Sequence, residues 1–143
     1  MKIAISSDHA GYELKIKLIS YLEKKGHTIN DFGCSSSKSS DYPDYAHPMS
    51  EAVETSLFNL GISLCGSGNG INMTANKHSG VRSALCWIPE IAKLARMHNN
   101  ANVCSLPARF VSFDEAKLIV DIFLETEFDG GRHLRRINKI PLN

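Results

Sequence analysis

The sequence predicts an α/β fold, a three-layer sandwich in which a parallel sheet of about five strands is covered by helices on both faces. Short apolar segments alternate along the chain with longer segments whose apolar residues recur at helical spacing. The connections between the apolar segments are too long for hairpins, which is typical of parallel strands. The length of 143 residues suits one such domain, spanning 1–143.

The first half of the chain opens with an apolar strand and an amphipathic helix. Leu14, Leu18 and Leu22 recur every fourth residue and define the buried face of that helix, and Gly26 ends it. A serine-rich loop at 34–40 and the turn Asp41-Tyr42-Pro43 precede the next helix. The predicted elements are, in order, a strand at 2–6, a helix at 11–25, a strand at 27–32, a helix over about 45–56 and a strand at 60–65.

The second half repeats the alternation of strands and helices. Pro89 suits the first turn of a helix, where its missing N–H group is tolerated. Ser112 and Glu115 form a capping-box pattern at the start of the last long helix. The predicted elements are a helix over about 71–76, a strand at 81–87, a helix over about 89–98, a strand at 103–106, and a helix after Ser112 with Ala116, Ile119, Val120, Phe123 and Leu124 on its buried face.

Composition excludes several classes of function. With 16 Lys and Arg against 15 Asp and Glu, the formal net charge is +1, so no basic field favours nucleic acid or an acidic membrane as a partner. No apolar run reaches the roughly 20 residues of a membrane helix, and the chain does not begin like a signal peptide. The four cysteines form no CxxC pair and are predicted to be reduced. We therefore expect a cytoplasmic protein that acts on a small molecule.

The strongest functional signal is a glycine loop directly after the third strand. Cys65 ends the strand and is followed by Gly66-Ser67-Gly68-Asn69-Gly70. Ile71 stands where a dinucleotide-binding loop would have its last glycine, and no Gly-Lys-Ser/Thr follows as in a P-loop. The loop is interpreted as a nest of backbone N–H groups for an oxyanion, an enediolate or a phosphate. The alternative is a tight turn without a ligand.

Cys65 would have its thiol near the start of the following helix, a position that favours the thiolate. A thiol placed there can act as a base near neutral pH. The alternative is a buried structural cysteine, because free cysteine often behaves as a small hydrophobic residue.

Histidines and arginines supply further candidates. Asp8-His9 follows the first strand, and His98 lies in the polar run 96–100, so both histidines are candidates for proton transfer. The six histidines show no zinc-ligand spacing, and we expect neither a metal nor a cofactor. Arg132 and Arg136 follow a glycine pair and would share a helical face as a phosphate clamp. The alternative is a solvated basic tail.

Six motifs occur together in this chain. They are Ser7-Asp8-His9-Ala10-Gly11, Asp41-Tyr42-Pro43, Cys65-Gly66-Ser67-Gly68-Asn69-Gly70, Ala75-Asn76-Lys77, Arg96-Met97-His98-Asn99-Asn100-Ala101-Asn102-Val103 and Gly130-Gly131-Arg132-His133. In this order, and over nearly the whole chain, they resemble the type B ribose-5-phosphate isomerases of the ribose/galactose isomerase family. The resemblance implies a Rossmann-like sandwich without a metal, active as a homodimer or dimer of dimers with sites built from both subunits. We expect the segment from about 129 to 143 to pack on or cross to a partner subunit.

The resemblance also implies residue roles in the interconversion of ribose 5-phosphate and ribulose 5-phosphate, a reaction of the pentose phosphate pathway. Cys65 is the base that moves a proton between C1 and C2, and Ser67 helps to stabilise the cis-enediolate. His98, supported by Asp8, opens the furanose ring. The other implied substrate contacts are Gly66, Asn69 and Gly70 at the enediolate, Gly68 within the same loop, Asn99 at the sugar hydroxyls, His9, Arg109, Arg132 and Arg136 at the phosphate, and Tyr42 at the pocket wall.

Two local details bear on the resemblance. Some members of the family lack the cysteine and use a glutamate directly after the last loop glycine. Here that position is Ile71, which cannot accept a proton, so the cysteine branch is indicated. Pro107 stands where the family usually has a glycine, and this departure bears on the contact expected of Arg109.

Other functions stay open at this point. The same chemistry on a six-carbon substrate, galactose or allose 6-phosphate, is the nearest alternative. The galactose-6-phosphate isomerases need two different chains, one of them lacking part of the catalytic set, whereas Cys65, Ser67 and His98 are all present here. A non-catalytic sugar-phosphate-binding module would keep the glycine loop without needing a thiol base. A redox-sensing thiol protein would need a second cysteine near the first.

Overall fold

Strands and helices alternate along residues 1–142, the part of the chain that the computed structural model describes. The strands are β1 (Lys2–Ser7), β2 (Thr28–Asp31), β3 (Leu60–Cys65), β4 (Ser83–Leu85) and β5 (Val103–Pro107). The helices are α1 (Tyr12–Lys24), α2 (Tyr42–Glu54), α3 (Asn69–Ala75), α4 (Pro89–Asn99), α5 (Phe113–Glu125) and α6 (Arg132–Ile137).

All five strands form one parallel sheet in the order β2-β1-β3-β5-β4. The direction of winding reverses between β1 and β3, because the chain moves outward from β1 to β2 and then crosses back to β3. In open parallel sheets, ligands bind beyond the carboxyl ends of the strands at such a reversal. Asp8-His9 follows β1 at this point, and the glycine loop follows β3.

Helices cover both faces of the sheet, and successive strand residues point to opposite faces. On one face, Ile3 and Ile62 are fully buried under α1, α4 and α5. On the other face, Ala4 and Val103 pack with Met49 of α2. The predicted three-layer α/β sandwich with a parallel sheet is confirmed.

The last long helix agrees with its sequence signals in detail. Ser112 Oγ accepts a hydrogen bond from the Glu115 N–H at 3.2 Å, and Glu115 Oε2 accepts one from the Ser112 N–H at 2.7 Å, which completes the capping box. Every residue predicted for its apolar face is buried.

Some predicted boundaries are wrong. Helix α2 begins at Tyr42 and not near residue 45, because Asp41 is extended and Pro43 takes a place in the first turn that needs no N–H donor. Strand β4 is limited to Ser83–Leu85, less than half the predicted length, because it is an edge strand that pairs with β5 alone. Helix α3 begins at Asn69, two residues earlier than predicted.

The cysteines are free and buried, as predicted for reduced thiols. A hydrogen bond with Cys86, together with burial, raises the pKa of the Cys104 thiol well above its usual range. This thiol is therefore a poor nucleophile. Within residues 1–142, no helix combines the length and apolar character that a membrane span requires.

The C-terminal segment packs in part on its own chain. Ile137 of α6 is 6% exposed. His133 stacks on His98 of α4 with ring centroids 4.4 Å apart. The expected contact of residues 129–143 with a partner subunit stays a prediction.

Candidate active site

A pocket of about 310 Å³ opens at the carboxyl edge of the sheet, where the chain reverses between β1 and β3. Loops after β1, β3 and β5 and the start of α2 form its walls. All but one of its lining residues are predicted site residues, the exception being Ala10. The lining consists of Asp8, His9, Ala10, Tyr42, Cys65, Gly66, Ser67, Gly70 and Arg109.

Cys65 is the last residue of β3 and is 4% exposed within this pocket. Its carbonyl oxygen accepts a hydrogen bond from the Ala108 N–H at 2.9 Å, so the loop after β5 is fastened beside it. Cys86 and Cys104 belong to the main apolar core and do not line this pocket. Cys65 is the cysteine that faces the pocket.

The glycine loop passes so close to other groups that side chains are excluded. Gly68 has a φ of 75°, and a Cβ atom there would lie 3.1 Å from the Pro107 nitrogen. A Cβ atom on Gly70 would come within 2.5 Å of the Tyr42 ring. The Ser67 hydroxyl accepts hydrogen bonds from the backbone N–H and the side-chain amide of Asn69, each at 3.3 Å. These contacts fix the conformation of the glycine loop, which packs closely against the ring of Tyr42.

Arg109 belongs to the pocket despite the proline that precedes it. Pro107 pairs with Cys65 at the end of β5, where a missing N–H donor is tolerated. The Arg109 N–H donates to the Gly66 carbonyl at 3.0 Å, and a Cβ atom on Gly66 would lie 3.2 Å from Arg109 Nη1. The guanidinium group thus lies directly over the glycine loop.

Asp8 is 6% exposed and shapes the loop after β1. Its Oδ1 atom accepts from the Ala10 N–H at 2.9 Å and from the Gly11 N–H at 3.2 Å. A Cβ atom on Gly11 would lie 2.6 Å from the Cβ atom of Leu64, so this loop crosses the end of β3 closely. The crossing brings Asp8 and His9 to the same pocket as Cys65.

The other predicted catalytic and phosphate-binding residues lie elsewhere in the same chain. His98 and Asn99 end α4, and the chain continues from there into the amino end of β5. Cys65 pairs with the carboxyl end of β5, about 13 Å further along the strands. Arg132 and Arg136 are exposed on α6, which packs beside α4. The segment is helical, so these two arginines share a face as expected. One chain therefore does not bring His98 to Asp8 or the two arginines to Cys65.

A larger apolar cavity of about 620 Å³ adjoins the pocket and was missed by sequence reasoning. Ser67 lines both spaces, and Asn69 lines the apolar one. Trp87 and Phe110 are 51% and 74% exposed beside this cavity. Their positions just after two strands could have indicated an apolar surface at this edge of the sheet. We place the chemistry in the smaller pocket, because polar and charged groups converge there.

His98, Asp129 and His133 form the group within residues 1–142 whose ligand atoms could reach one metal ion, all lying within 4.8 Å of one another. The two imidazole planes are only 11° apart, so their lone pairs run side by side and do not converge. Burial, His98 and Arg132 all lower the pKa of His133, and the arginine would also oppose a cation. The geometry does not fit a preformed metal site, and the expectation of no metal stays a prediction.

Comparison with known proteins decides the family. The family model described as Ribose/Galactose Isomerase matches residues 3–140. This chain belongs to the ribose/galactose isomerase family. Among its family relatives, ribose-5-phosphate isomerase B of Escherichia coli (strain K12) is 40% identical over 97% of this chain and 93% of that protein.

Solved structures of the ribose/galactose isomerase family have the same fold. A ribose 5-phosphate isomerase from Thermotoga maritima is 51% identical, with a TM-score of 0.96 over 98% of this chain and 97% of its own. Ribose-5-phosphate isomerase B from Mycoplasma genitalium, solved with bound ribulose 5-phosphate, is 44% identical, with a TM-score of 0.93 over 97% and 93% of the two chains.

Position 71, directly after the last glycine of the loop, carries an apolar side chain in this chain. Ile71 is fully buried and packs in one cluster with Ala46 and Cys65. A carboxylate there would be desolvated against apolar groups. Residue 71 therefore supplies no acid–base group, and the assignment of Cys65 as the base stays a prediction.

Proposed function

We propose that this chain is an aldose–ketose isomerase that interconverts D-ribose 5-phosphate and D-ribulose 5-phosphate, a reaction of the pentose phosphate pathway. One observation carries the proposal: the thiol of Cys65, the glycine loop and the guanidinium group of Arg109 line a single polar pocket. The relative from Mycoplasma genitalium, whose structure holds ribulose 5-phosphate, supports the choice of substrate.

In the proposed reaction, Cys65 acts as thiolate and removes the proton from C2 of the open-chain aldose. The electrons of the C–H bond form the C1–C2 double bond of a cis-enediolate, and negative charge develops on the former carbonyl oxygen. Donors of the glycine loop and the Ser67 hydroxyl stabilise that oxygen. The thiol then returns its proton to C1, while a proton passes from the C2 hydroxyl to the C1 oxygen.

The phosphate and the closed sugar ring need groups that one chain does not bring to this pocket. We propose that a second copy supplies His98 for ring opening, Asn99 for the sugar hydroxyls, and Arg132 with Arg136 for the phosphate. His9 and Arg109 contribute from the first copy. The apolar surface around Trp87 beside Ser67 supports an interface next to the pocket, because exposed apolar patches of this kind mark contact surfaces. The assembly is a homodimer or a dimer of dimers.

A coupled assay with ribose 5-phosphate, allose 6-phosphate and galactose 6-phosphate side by side tests this proposal. We expect the highest kcat/KM on ribose 5-phosphate. Equal values on five-carbon and six-carbon substrates would overturn the ranking of substrates. Binding without turnover of all three would support a sugar-phosphate-binding module instead.

Arg132→Ala is expected to raise KM for the phosphorylated sugar by about ten- to a hundredfold with little change in kcat, because a charged hydrogen bond to an unreacting group is lost. Steady-state kinetics measure both constants. Arg135→Ala changes the neighbouring arginine of the same helix and serves as the matched control. An unaltered Michaelis constant in Arg132→Ala would refute the clamp.

A further inference from the structure

His9 is held by a single residue of the loop between β2 and α2. The His9 N–H donates to Ser40 Oγ at 3.2 Å. The Ser40 N–H donates to His9 Nδ1 at 3.1 Å, and the Ser40 carbonyl oxygen lies 3.2 Å from the same nitrogen. One contact to the main chain of His9 and two to its ring thus join two half-buried residues that are 31 positions apart, and the two ring contacts fix the orientation of the imidazole.

Both ring contacts use Nδ1, which leaves Nε2 for the pocket that His9 lines. In a neutral ring whose proton is on Nε2, Nδ1 accepts from the Ser40 N–H. In a protonated ring, Nδ1–H can donate to the Ser40 carbonyl oxygen, and Nε2 keeps its proton. Ser40 therefore offers a partner for Nδ1 in both protonation states, and Nε2–H is a donor in both.

The loop that carries Ser40 is itself anchored. Lys15 is fully buried and donates to the Cys34 carbonyl at 2.6 Å and to both carboxylate oxygens of Asp31. The Cys34 N–H donates to the Ser7 carbonyl at 2.7 Å, which ties the loop to β1. On the other side, α2 starts at Tyr42. Ser40 lies between the anchored Cys34 and the start of α2, so its main-chain groups are well placed to fix the side chain of His9.

We propose that Ser40 is a positioning residue for His9, whose ring it holds through Nδ1 so that Nε2–H is directed at the substrate phosphate. The role of the phosphate rests on the proposed function, whereas the state of the ring does not. Arg109, from the loop after β5, lines the same pocket, so a directed donor from the loop after β1 would add a second contact to an anion that Arg109 binds.

Nitrogen NMR of the uniformly labelled enzyme without substrate tests the positioning directly. We expect a scalar coupling across the hydrogen bond between the Ser40 amide nitrogen and His9 Nδ1 at neutral pH, with the ring proton on Nε2. A neutral ring with its proton on Nδ1 would overturn the proposal, whatever the enzyme proves to catalyse.

Variants of His9 and Ser40 test the consequence for the substrate. His9→Gln places an amide N–H near the position of Nε2 and should keep KM within about threefold, whereas His9→Asn places it near Nδ1 and should raise KM about tenfold. Ser40→Ala removes the hydroxyl that accepts from the His9 N–H but keeps both main-chain groups at the ring, so it should raise KM less than Ser40→Pro does. Ser40→Pro removes the N–H donor and should raise KM as His9→Asn does, with kcat nearly unchanged.

Two outcomes would contradict the role of Ser40. One is an equal KM in His9→Gln and His9→Asn, and the other is a wild-type KM in Ser40→Pro. If Ser40→Pro does not fold, the NMR measurement and the two His9 variants still decide. A wild-type enzyme without isomerase activity would instead overturn the proposed function. The orientation of the His9 ring would still be tested by the NMR measurement.

Discussion

Replacement of Cys65 by alanine is expected to lower kcat by about two to four orders of magnitude while sugar-phosphate binding stays nearly unchanged. In the proposed mechanism, the thiol takes the carbon-bound proton, since the side chain at position 71 is a buried isoleucine that cannot do so. The proposed phosphate contacts are made by other residues and should survive the change. Coupled kinetics measure turnover, and calorimetric titration with ribose 5-phosphate measures binding.

Two matched variants isolate the role of the thiol. Cys65→Ser keeps a small polar side chain but replaces the thiol by a much weaker acid, so its kcat should fall nearly as far. Cys86→Ala removes a buried thiol outside the pocket and should keep turnover close to that of the wild type. Turnover of Cys65→Ala within threefold of the wild type would refute the assignment of the base.

Lys15→Met is expected to lower the free energy of unfolding by about 3 kcal/mol, because it breaks an ion pair whose cation is fully buried. Lys15 is 0% exposed and binds Asp31 at 2.6 Å, whereas the Asp31 side chain is 35% exposed and can regain part of its hydration. The lost bond to the Cys34 carbonyl also frees the loop that carries Ser40. Urea unfolding at a fixed protein concentration measures the change.

Lys17→Met on the exposed face of the same helix is the control for Lys15→Met. It removes the same charge and should change the free energy of unfolding by no more than about 0.5 kcal/mol. If Lys15→Met proves as stable as Lys17→Met, the buried ion pair does not stabilise the fold. A rise of KM in Lys15→Met but not in Lys17→Met would in addition link this anchor to His9.

Local patterns of apolar and capping residues predict much of this fold, because they indicate which faces of the helices and strands are buried. Strand β3 was predicted at residues 60–65 from its apolar run alone, and it is buried throughout. The capping box at Ser112 predicted the start of α5. The start of α2 was wrong, because a proline in the first turn looks like a turn signal when the chain is read without its neighbours.

The site could be predicted as far as neighbouring strands of a parallel sheet determine it. Asp8 and His9 follow β1, Cys65 ends β3, and adjacent parallel strands carry their carboxyl ends to one edge of the sheet. His98 could not be placed this way, because it precedes its strand and so lies toward the other edge. The contact of Ser40 with His9 was also missed, because no periodic pattern in the sequence marks a loop residue whose main-chain groups bind a distant side chain.

In the proposed assembly, each active site joins Cys65 of one chain to His98 and Arg132 of a second chain. Two inactive variants test it when they are mixed: Cys65→Ala, and a chain carrying both His98→Asn and Arg132→Ala. In a mixed dimer of this kind, one site would collect every substitution and the other none. After unfolding and refolding an equal mixture, we predict a return to about a quarter of wild-type activity, because half of the dimers would be mixed and each would hold one intact site. Activity no higher than the mean of the two separately refolded variants would show that the site lies within one chain and would contradict the claim.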